Sequence, residues 1–114
     1  MQIEELSFDE RGLIPCIAQD DATGEVLMMA WMDAEAIRRT LADRSMWYWS
    51  RSRQEYWHKG DTSGNTQALV SLYYDCDADA LLARINPAGP ACHTGHTSCF
   101  YRRLDQTHDQ TPQG

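Results

Sequence analysis

The chain lacks any apolar stretch long enough to cross a bilayer, because its longest apolar run, Val26–Met32, is only as long as a strand, whereas a membrane-spanning helix needs ~20 residues. It begins MQIEELSFDE, without the basic start and apolar run of a signal peptide. Positive charge is scarce, since 17 Asp and Glu outnumber 10 Lys and Arg and leave a formal net charge of −7. Nucleic-acid polymers and anionic membranes are therefore disfavoured as partners. We expect a cytoplasmic protein with reduced cysteines.

Two nucleotide-binding motifs are also missing. No expected strand is followed by a GxGxxG turn or a GxxxxGK[ST] loop, so dinucleotide and P-loop binding have no support. A length of 114 residues has room for one hydrophobic core. We expect a single domain over residues 1–104 and a polar tail over 105–114.

The hydrophobic pattern predicts mostly strands. Apolar runs at 13–18 and 26–32 flank the polar stretch QDDATGE, which is typical of a β-hairpin. Asp33 precedes a helical pattern and is expected to cap a helix over 33–43. Further strands are expected at 46–49, 67–74, 80–85 and 100–104, and the polar segment before residue 67 is a candidate substrate loop. The fold class is α+β, a mainly antiparallel, barrel-like sheet with one or two short helices.

Three of the four cysteines, Cys76, Cys92 and Cys99, follow the pattern C-x15-C-x6-C. Thiolates bind Zn²⁺ well, and three protein ligands leave a coordination position open, as catalytic zinc sites do. The CxxC pairs common in structural zinc sites are absent. Spacing alone supports equally well the alternative that Cys76 and Cys99 are ordinary buried thiols. Cys16 lies within the first expected strand and is expected in the core.

A cluster of aspartates surrounds Cys76. If residues 69–79 stay extended, side chains alternate, so Asp75, Asp77 and Asp79 share one face and Cys76 points to the other. Crowded carboxylates raise one another's pKa, and a divalent cation such as Mg²⁺ or Ca²⁺ removes that cost. A solvated acidic turn is the alternative interpretation.

Residues 44–60 carry a net positive charge, opposite in sign to that of the whole chain. Arg44, Arg51, Arg53 and Lys59 against Glu55 give this segment a balance of +3, which favours an anionic ligand such as phosphate, with DTSGNT completing the cradle. A solvated basic face is the alternative. The candidate contacts are Arg51, Arg53, His58, Lys59 and Ser63.

Two histidines, His93 and His96, lie in the loop that contains Cys92. Either is a candidate fourth metal ligand or general acid/base, because imidazole titrates near neutral pH. His93, directly beside Cys92, is the better candidate for proton transfer.

Three motifs in order, WSRSRQEYWHKGDTSGNTQ, DCDADALL and GPACHTGHTSCFY, resemble the phosphoribosyl-AMP cyclohydrolase family of histidine biosynthesis. The segment GLIPCIAQDDATGEVLMMAWMDAEAI extends the resemblance to about residues 10–101. The resemblance implies a hydrolase that opens the purine ring of 1-(5-phosphoribosyl)-AMP at the N1–C6 bond. It also implies Zn²⁺ and Mg²⁺ as cofactors and an intertwined homodimer whose zinc cysteines come from both subunits.

Residue by residue, the resemblance implies zinc ligands at Cys76, Cys92 and Cys99 and magnesium ligands at Asp75, Asp77 and Asp79. Asp61 departs from the Glu that many members carry, which shortens the reach of one carboxylate. The alternative from another functional class is a zinc-stabilised, non-enzymatic binding module, for which we expect a closed site with four ligands.

Overall fold

Six strands and one α-helix follow one another in the computed structural model, which describes residues 1–106. The strands are β1 (Ile14–Asp20), β2 (Val26–Met32), β3 (Trp47–Ser50), β4 (Glu55–His58), β5 (Gln67–Tyr74) and β6 (Leu81–Pro87). The helix α1 spans Ala34–Asp43, and a short 3-10 turn spans Ile3–Glu5. The predicted hairpin, helix and 67–74 strand are confirmed. Most of the predicted polar tail, from residue 107 onward, lies outside the described residues.

The strands form one sheet in the order β4-β3-β2-β1-β6-β5. Its pairings are antiparallel except for β1 with β6, which is parallel, so the mainly antiparallel sheet is confirmed. The sheet curls into a half-barrel because the chain just before β3 also pairs with the start of β5. The Met46 amide donates to the Gln67 carbonyl at 3.0 Å, and the Leu69 amide donates to the Arg44 carbonyl at 2.9 Å.

Helix α1 begins where the sequence predicts. The Asp33 carboxylate accepts a hydrogen bond from the Ala36 amide at 2.8 Å, which satisfies one of the unpaired donors of the first turn. The helix packs against β2 and β3 through its buried face, and it ends at Arg44, whose φ of 54° is left-handed. It therefore covers the half-barrel on the side of these two strands.

Cys16 belongs to the core, as predicted. Side chains alternate along β1, so Ile14, Cys16 and Ala18 are fully buried. Burial raises the pKa of the Cys16 thiol to about 12, so this thiol stays protonated near neutral pH. No helix in the described part of the chain is long and apolar enough to cross a membrane.

Two expectations about strands are wrong. The polar segment before residue 67 contains β4, which pairs with β3 through aromatic partners such as Tyr48 with Trp57. Residues 100–104 form no strand. The chain is tied to β2 just before them, where the Cys99 amide donates to the Leu27 carbonyl at 2.7 Å, and Phe100 beyond that point is 65% exposed.

The alternation expected over residues 69–79 is also wrong. β5 ends at Tyr74, a bulge between Leu69 and Ser71 shifts its register, and the following residues form the turn that leads into β6. Ala78 takes a left-handed φ of 58° in this turn. The aspartates and Cys76 therefore lie in a hairpin turn and not on opposite faces of an extended strand.

Candidate functional site

A cleft of about 740 Å³ opens at one side of the half-barrel. Its walls come from β2, from β4 with the loop after it, and from the loop over residues 91–99. The loop after β4, which contains candidate substrate contacts, and the loop over residues 91–99, which contains Cys92 and Cys99, therefore face the same cavity although they are far apart in sequence. A cleft of this size can hold a small-molecule ligand.

Glycine shapes the wall after β4. Gly60 has a φ of +93°, and a Cβ at this position would lie 2.5 Å from the Thr66 amide nitrogen, so only glycine fits the close approach. The Thr66 carbonyl in turn accepts from the Ala88 amide at 2.9 Å. The loop is thus folded tightly against the chain that follows β6.

Cys92 and Cys99 meet at the other wall of this cleft. A turn closed by hydrogen bonds from the Gly95 amide to the Cys92 carbonyl and from the Cys92 amide to the His96 carbonyl holds Cys92 in place. The two thiol groups are near enough to affect each other's pKa. Cys92 is buried and Cys99 is exposed.

The pKa values of the two thiols move in opposite directions. The Thr94 hydroxyl, 2.9 Å from the Cys92 sulfur, lowers the pKa of Cys92. Although Cys99 is exposed as a residue, partial burial of its sulfur and the charge of Cys92 raise its pKa. Of the two thiols, Cys92 therefore has the lower pKa, and a cation at this place would stabilise both as thiolates.

Lys59 is the one predicted phosphate contact that the fold buries. It follows β4 directly, lines the cleft, and is only 6% exposed. Burial lowers the pKa of its ammonium group, while the charges of Cys99 and Cys92 oppose that shift. The ammonium therefore belongs to the same part of the cleft as the two cysteines.

The three histidines of the two loops have different surroundings. His93 lines the cleft, as the sequence suggested. His96 does not: its Nδ1 lies 2.9 Å from the Thr94 hydroxyl and its ring stacks on Tyr101 at 3.6 Å. His58 lines the cleft with its Nδ1 2.8 Å from the Asp61 carboxylate.

Of the remaining predicted phosphate contacts, some line the cleft and one does not. Arg53 and Ser63 line the cleft, and the Arg53 side chain is 76% exposed. Arg51 does not line it, because its guanidinium lies over the Trp31 ring, 4.6 Å from the ring centre. The cationic face predicted from the sequence is therefore partly a cleft wall and partly surface.

The acidic turn lies outside this cleft. The Asp75 carboxylate accepts from the amides of Asp79 at 3.0 Å and Ala80 at 3.3 Å, which fixes the turn. The pKa of Asp79 is raised because its carboxyl hydrogen-bonds to Asp75 and feels the charges of Asp75 and Asp77. Cys76, in the same turn, is exposed, as is Cys99, so neither is an ordinary buried thiol.

The donor atoms fit the implied metals in part. Within residues 1–106 of a single chain, no three His, Cys, Asp or Glu side chains gather as a metal site. Cys92 and Cys99 nevertheless supply two adjacent sulfur donors, which suit Zn²⁺, and the acidic turn supplies oxygen donors, which suit Mg²⁺. The cysteine pair thus offers two of the sulfur donors that a zinc site would need.

Sequence reasoning included Asp61 and Asn65 only within the DTSGNT segment, and it missed the supporting roles of Thr94 and Gly89. Asn65 lines the cleft, and Gly89 lies so close that a Cβ there would collide with the Asn65 side chain. The Thr94 hydroxyl contacts the Cys92 sulfur, and the Asp61 carboxylate contacts the His58 ring. The spacings of two residues from Cys92 to Thr94 and three from His58 to Asp61 were the available signals, because such short separations allow local side-chain hydrogen bonds.

Comparison with known proteins gives a consistent result. The sequence model of a family described as phosphoribosyl-AMP cyclohydrolase matches residues 28–101. A relative from Roseobacter denitrificans named phosphoribosyl-AMP cyclohydrolase is 57% identical over 113 residues, covering 96% of this chain and 88% of its own. One of the same name from Cereibacter sphaeroides is 62% identical over 99 residues, 87% of this chain and 83% of its own.

A longer relative is also similar. The histidine biosynthesis bifunctional protein HisIE of Caldanaerobacter subterraneus is 54% identical over 106 residues, which cover 93% of this chain and 52% of that protein. The similarity thus extends beyond the part of the chain that the family model matches.

Proposed function

The chain belongs to the phosphoribosyl-AMP cyclohydrolase family, and we propose that it hydrolyses the N1–C6 bond of 1-(5-phosphoribosyl)-AMP in histidine biosynthesis. Water supplies the oxygen that becomes the carboxamide oxygen on C6, and N1 leaves with a proton as part of the formimino group. The observation that carries this proposal is the cleft in which Cys92, Cys99, His93 and Lys59 come together.

Zinc is the first proposed cofactor. Cys92 and Cys99 would hold it together with Cys76, and a bound zinc ion would lower the pKa of water toward about 7. The thiol pair supports this assignment because both cysteines line the same cleft and affect each other's pKa. A bound cation would also stabilise Cys99 as a thiolate, against the burial that raises its pKa.

Magnesium is the second proposed cofactor, held by Asp75, Asp77 and Asp79. The raised pKa of Asp79 supports the assignment, because it reports crowded carboxylates that a divalent cation would relieve. When bound, magnesium offsets the charge of substrate phosphate.

A homodimer is the third part of the proposal. Cys76 is exposed in the β5–β6 turn and does not line the cleft that contains Cys92 and Cys99. A second copy of the chain can supply its Cys76 to that cleft, so each site would draw its sulfur ligands from both subunits.

The substrate carries a phosphate at each end, so its recognition needs cations and hydroxyl groups. Arg53, His58 and Ser63 line the cleft and are the proposed phosphate contacts there, whereas Arg51 lies outside it with its guanidinium over the Trp31 ring. Arginine binds phosphate through paired N–H donors, which suits the exposed Arg53.

His93 is the proposed proton-transfer residue. It lines the cleft beside Cys92, whereas His96 already engages Thr94 and Tyr101. An imidazole near neutral pH can take a proton from the attacking water and deliver one to N1. If His93→Ala keeps wild-type turnover with zinc bound, this role is wrong.

The direct test is to mix the purified protein with phosphoribosyl-AMP, zinc and magnesium and to follow ring opening by ultraviolet absorbance. We expect turnover that a chelator abolishes and that Cys92→Ala removes. Cys16→Ala is the matched control, because Cys16 lies in the core away from the cleft. Absence of zinc-dependent turnover, with Cys92→Ala behaving like wild type, would refute the proposal and favour a non-enzymatic zinc-stabilised module.

A cytoplasmic location is part of the same proposal, since the sulfur ligands must stay reduced.

A further inference from the structure

Lys59 differs from Arg53, the other Lys or Arg side chain on the cleft wall in residues 1–106. Lys59 is only 6% exposed, whereas the Arg53 side chain is 76% exposed and lies 3.4 Å from the Glu55 carboxylate. The Lys59 amide donates to the Met46 carbonyl at 3.0 Å, which fixes the backbone at this point. The fold therefore buries Lys59 in the cleft wall and leaves Arg53 at the surface.

No carboxylate balances the Lys59 charge. Within residues 1–106, none of the ion pairs and no side-chain hydrogen bond involves the Lys59 ammonium. The Lys59 side chain is held in the cleft wall with its ammonium unpaired, and proteins retain such groups where a ligand or a reaction needs them. The neighbouring groups with negative character are the sulfurs of Cys92 and Cys99, which oppose the lowering of the Lys59 pKa.

We propose that Lys59 is a catalytic residue whose ammonium donates a hydrogen bond to the oxygen that adds to C6 of the substrate purine. This inference rests on the proposed function. A C6–O bond forms from water and the N1–C6 bond breaks, with its electron pair going to N1. One proton of the water ends on the exocyclic nitrogen and the other on N1. The ammonium stays protonated throughout.

The Lys59 ammonium acts in the transition state of this step. Negative charge grows on the oxygen as it loses its proton, and a donor fixed in the cleft wall stabilises that charge more than it stabilises the bound substrate. A phosphate contact, by comparison, stabilises the bound substrate and the transition state equally. The two roles therefore separate in kcat and KM.

The experiment compares Lys59→Met with Arg53→Met, which removes one positive charge from each position. For Lys59→Met we expect kcat to fall about 10²–10³-fold, the loss typical of one missing oxyanion donor. KM for phosphoribosyl-AMP and the dissociation constant of AMP measured by calorimetry should stay within about threefold, because uniform binding is untouched. For Arg53→Met we expect a higher KM and little change in kcat. Zinc content should match the wild type in both.

A third variant, Lys59→Arg, keeps the charge and is expected to retain at least about tenfold more kcat than Lys59→Met. If Lys59→Met lowers the thermal midpoint, Lys59→Gln replaces it and the same split between kcat and KM decides. A raised KM with unchanged kcat, equal kcat in Lys59→Arg and Lys59→Met, or zinc loss that accounts for the lost activity would overturn the proposal. An inactive wild type would instead refute the proposed function.

Discussion

Tyr48 and Gln67 join β3 to the start of β5 inside the half-barrel, and their hydrogen bond can be tested directly. The Tyr48 hydroxyl donates to the Gln67 side-chain carbonyl at 2.8 Å, and both residues are buried. The Gln67 amide group donates in turn to the Met28 sulfur at 3.3 Å. Tyr48→Phe removes the hydroxyl and leaves the buried Gln67 carbonyl without its donor.

The expected loss follows from that unpaired carbonyl. A buried acceptor left unsatisfied costs about 1–3 kcal/mol. At roughly 4 °C per kcal/mol for a domain of this size, the thermal midpoint should fall by about 4–12 °C. Circular dichroism during heating measures the midpoint, and urea unfolding gives the free energy of unfolding independently.

The matched control is Tyr73→Phe, since Tyr73 is exposed and on β5. We expect its free energy of unfolding to stay within about 0.5 kcal/mol of the wild type. A Tyr48→Phe protein as stable as the Tyr73→Phe protein would refute the idea that this hydrogen bond stabilises the closed half-barrel.

Two further predictions concern the cleft walls. Gly60→Ala should lower kcat/KM at least about tenfold, because its Cβ would meet the Thr66 amide nitrogen at 2.5 Å and displace the loop. Gly64→Ala, also at positive φ but in open space, is the control, and an equal effect of both on steady-state kinetics would contradict the steric argument. Thr94→Val should raise the pKa of Cys92 by removing the hydroxyl beside its sulfur. Alkylation of Cys92 in metal-free protein, followed by peptide mass mapping, should then be slower near neutral pH, and an unchanged rate would contradict this.

Short-range sequence patterns predicted the elements that depend on interactions between residues close in sequence. Asp33 caps α1 through the amide three residues on, and the turn residues of QDDATGE separate β1 from β2. Cys16 was assigned to the core because alternation places it between two apolar neighbours, and it is fully buried. These features depend on short spacings that the sequence displays directly.

The errors arose where distant parts of the chain decide the structure. Residues 100–104 have strand-forming composition, but the chain is anchored to β2 through Cys99 and forms no strand beyond it. The aspartate alternation failed because β6 pairs antiparallel with β5, which requires a turn, and Asp75 accepts the amides that close it. The strand β4 was missed because its polar flanks hid four residues that pair with β3.

The sequence predicted which residues belong to the candidate site, but not which of them share a cavity. The sequence identified Lys59 as a candidate phosphate contact and Cys92 and Cys99 as two of three candidate zinc ligands, but the burial of Lys59 beside these thiols depends on how the two loops meet. Likewise, only the fold separates Cys76 from the cleft. Which residues share a cavity is a property of tertiary packing.

Subunit complementation tests most directly the claim that each active site draws cysteines from two copies of the chain. Cys76→Ala and Cys92→Ala are each expected to be inactive alone. When the two are unfolded together in equal amounts and refolded with zinc and magnesium, half of the dimers should contain one of each, and one of their two sites has all three cysteines. The mixture should therefore recover about a quarter of wild-type activity in the absorbance assay.

The matched control pairs Cys92→Ala with Cys99→Ala, two positions on the same wall of one cleft. Every site in that mixture lacks a ligand, so no activity should return. Recovery near a quarter with Cys76→Ala, and none in the control, is the result that a shared site predicts. Failure of the Cys76→Ala and Cys92→Ala mixture to recover activity, with refolded wild type active, would contradict it.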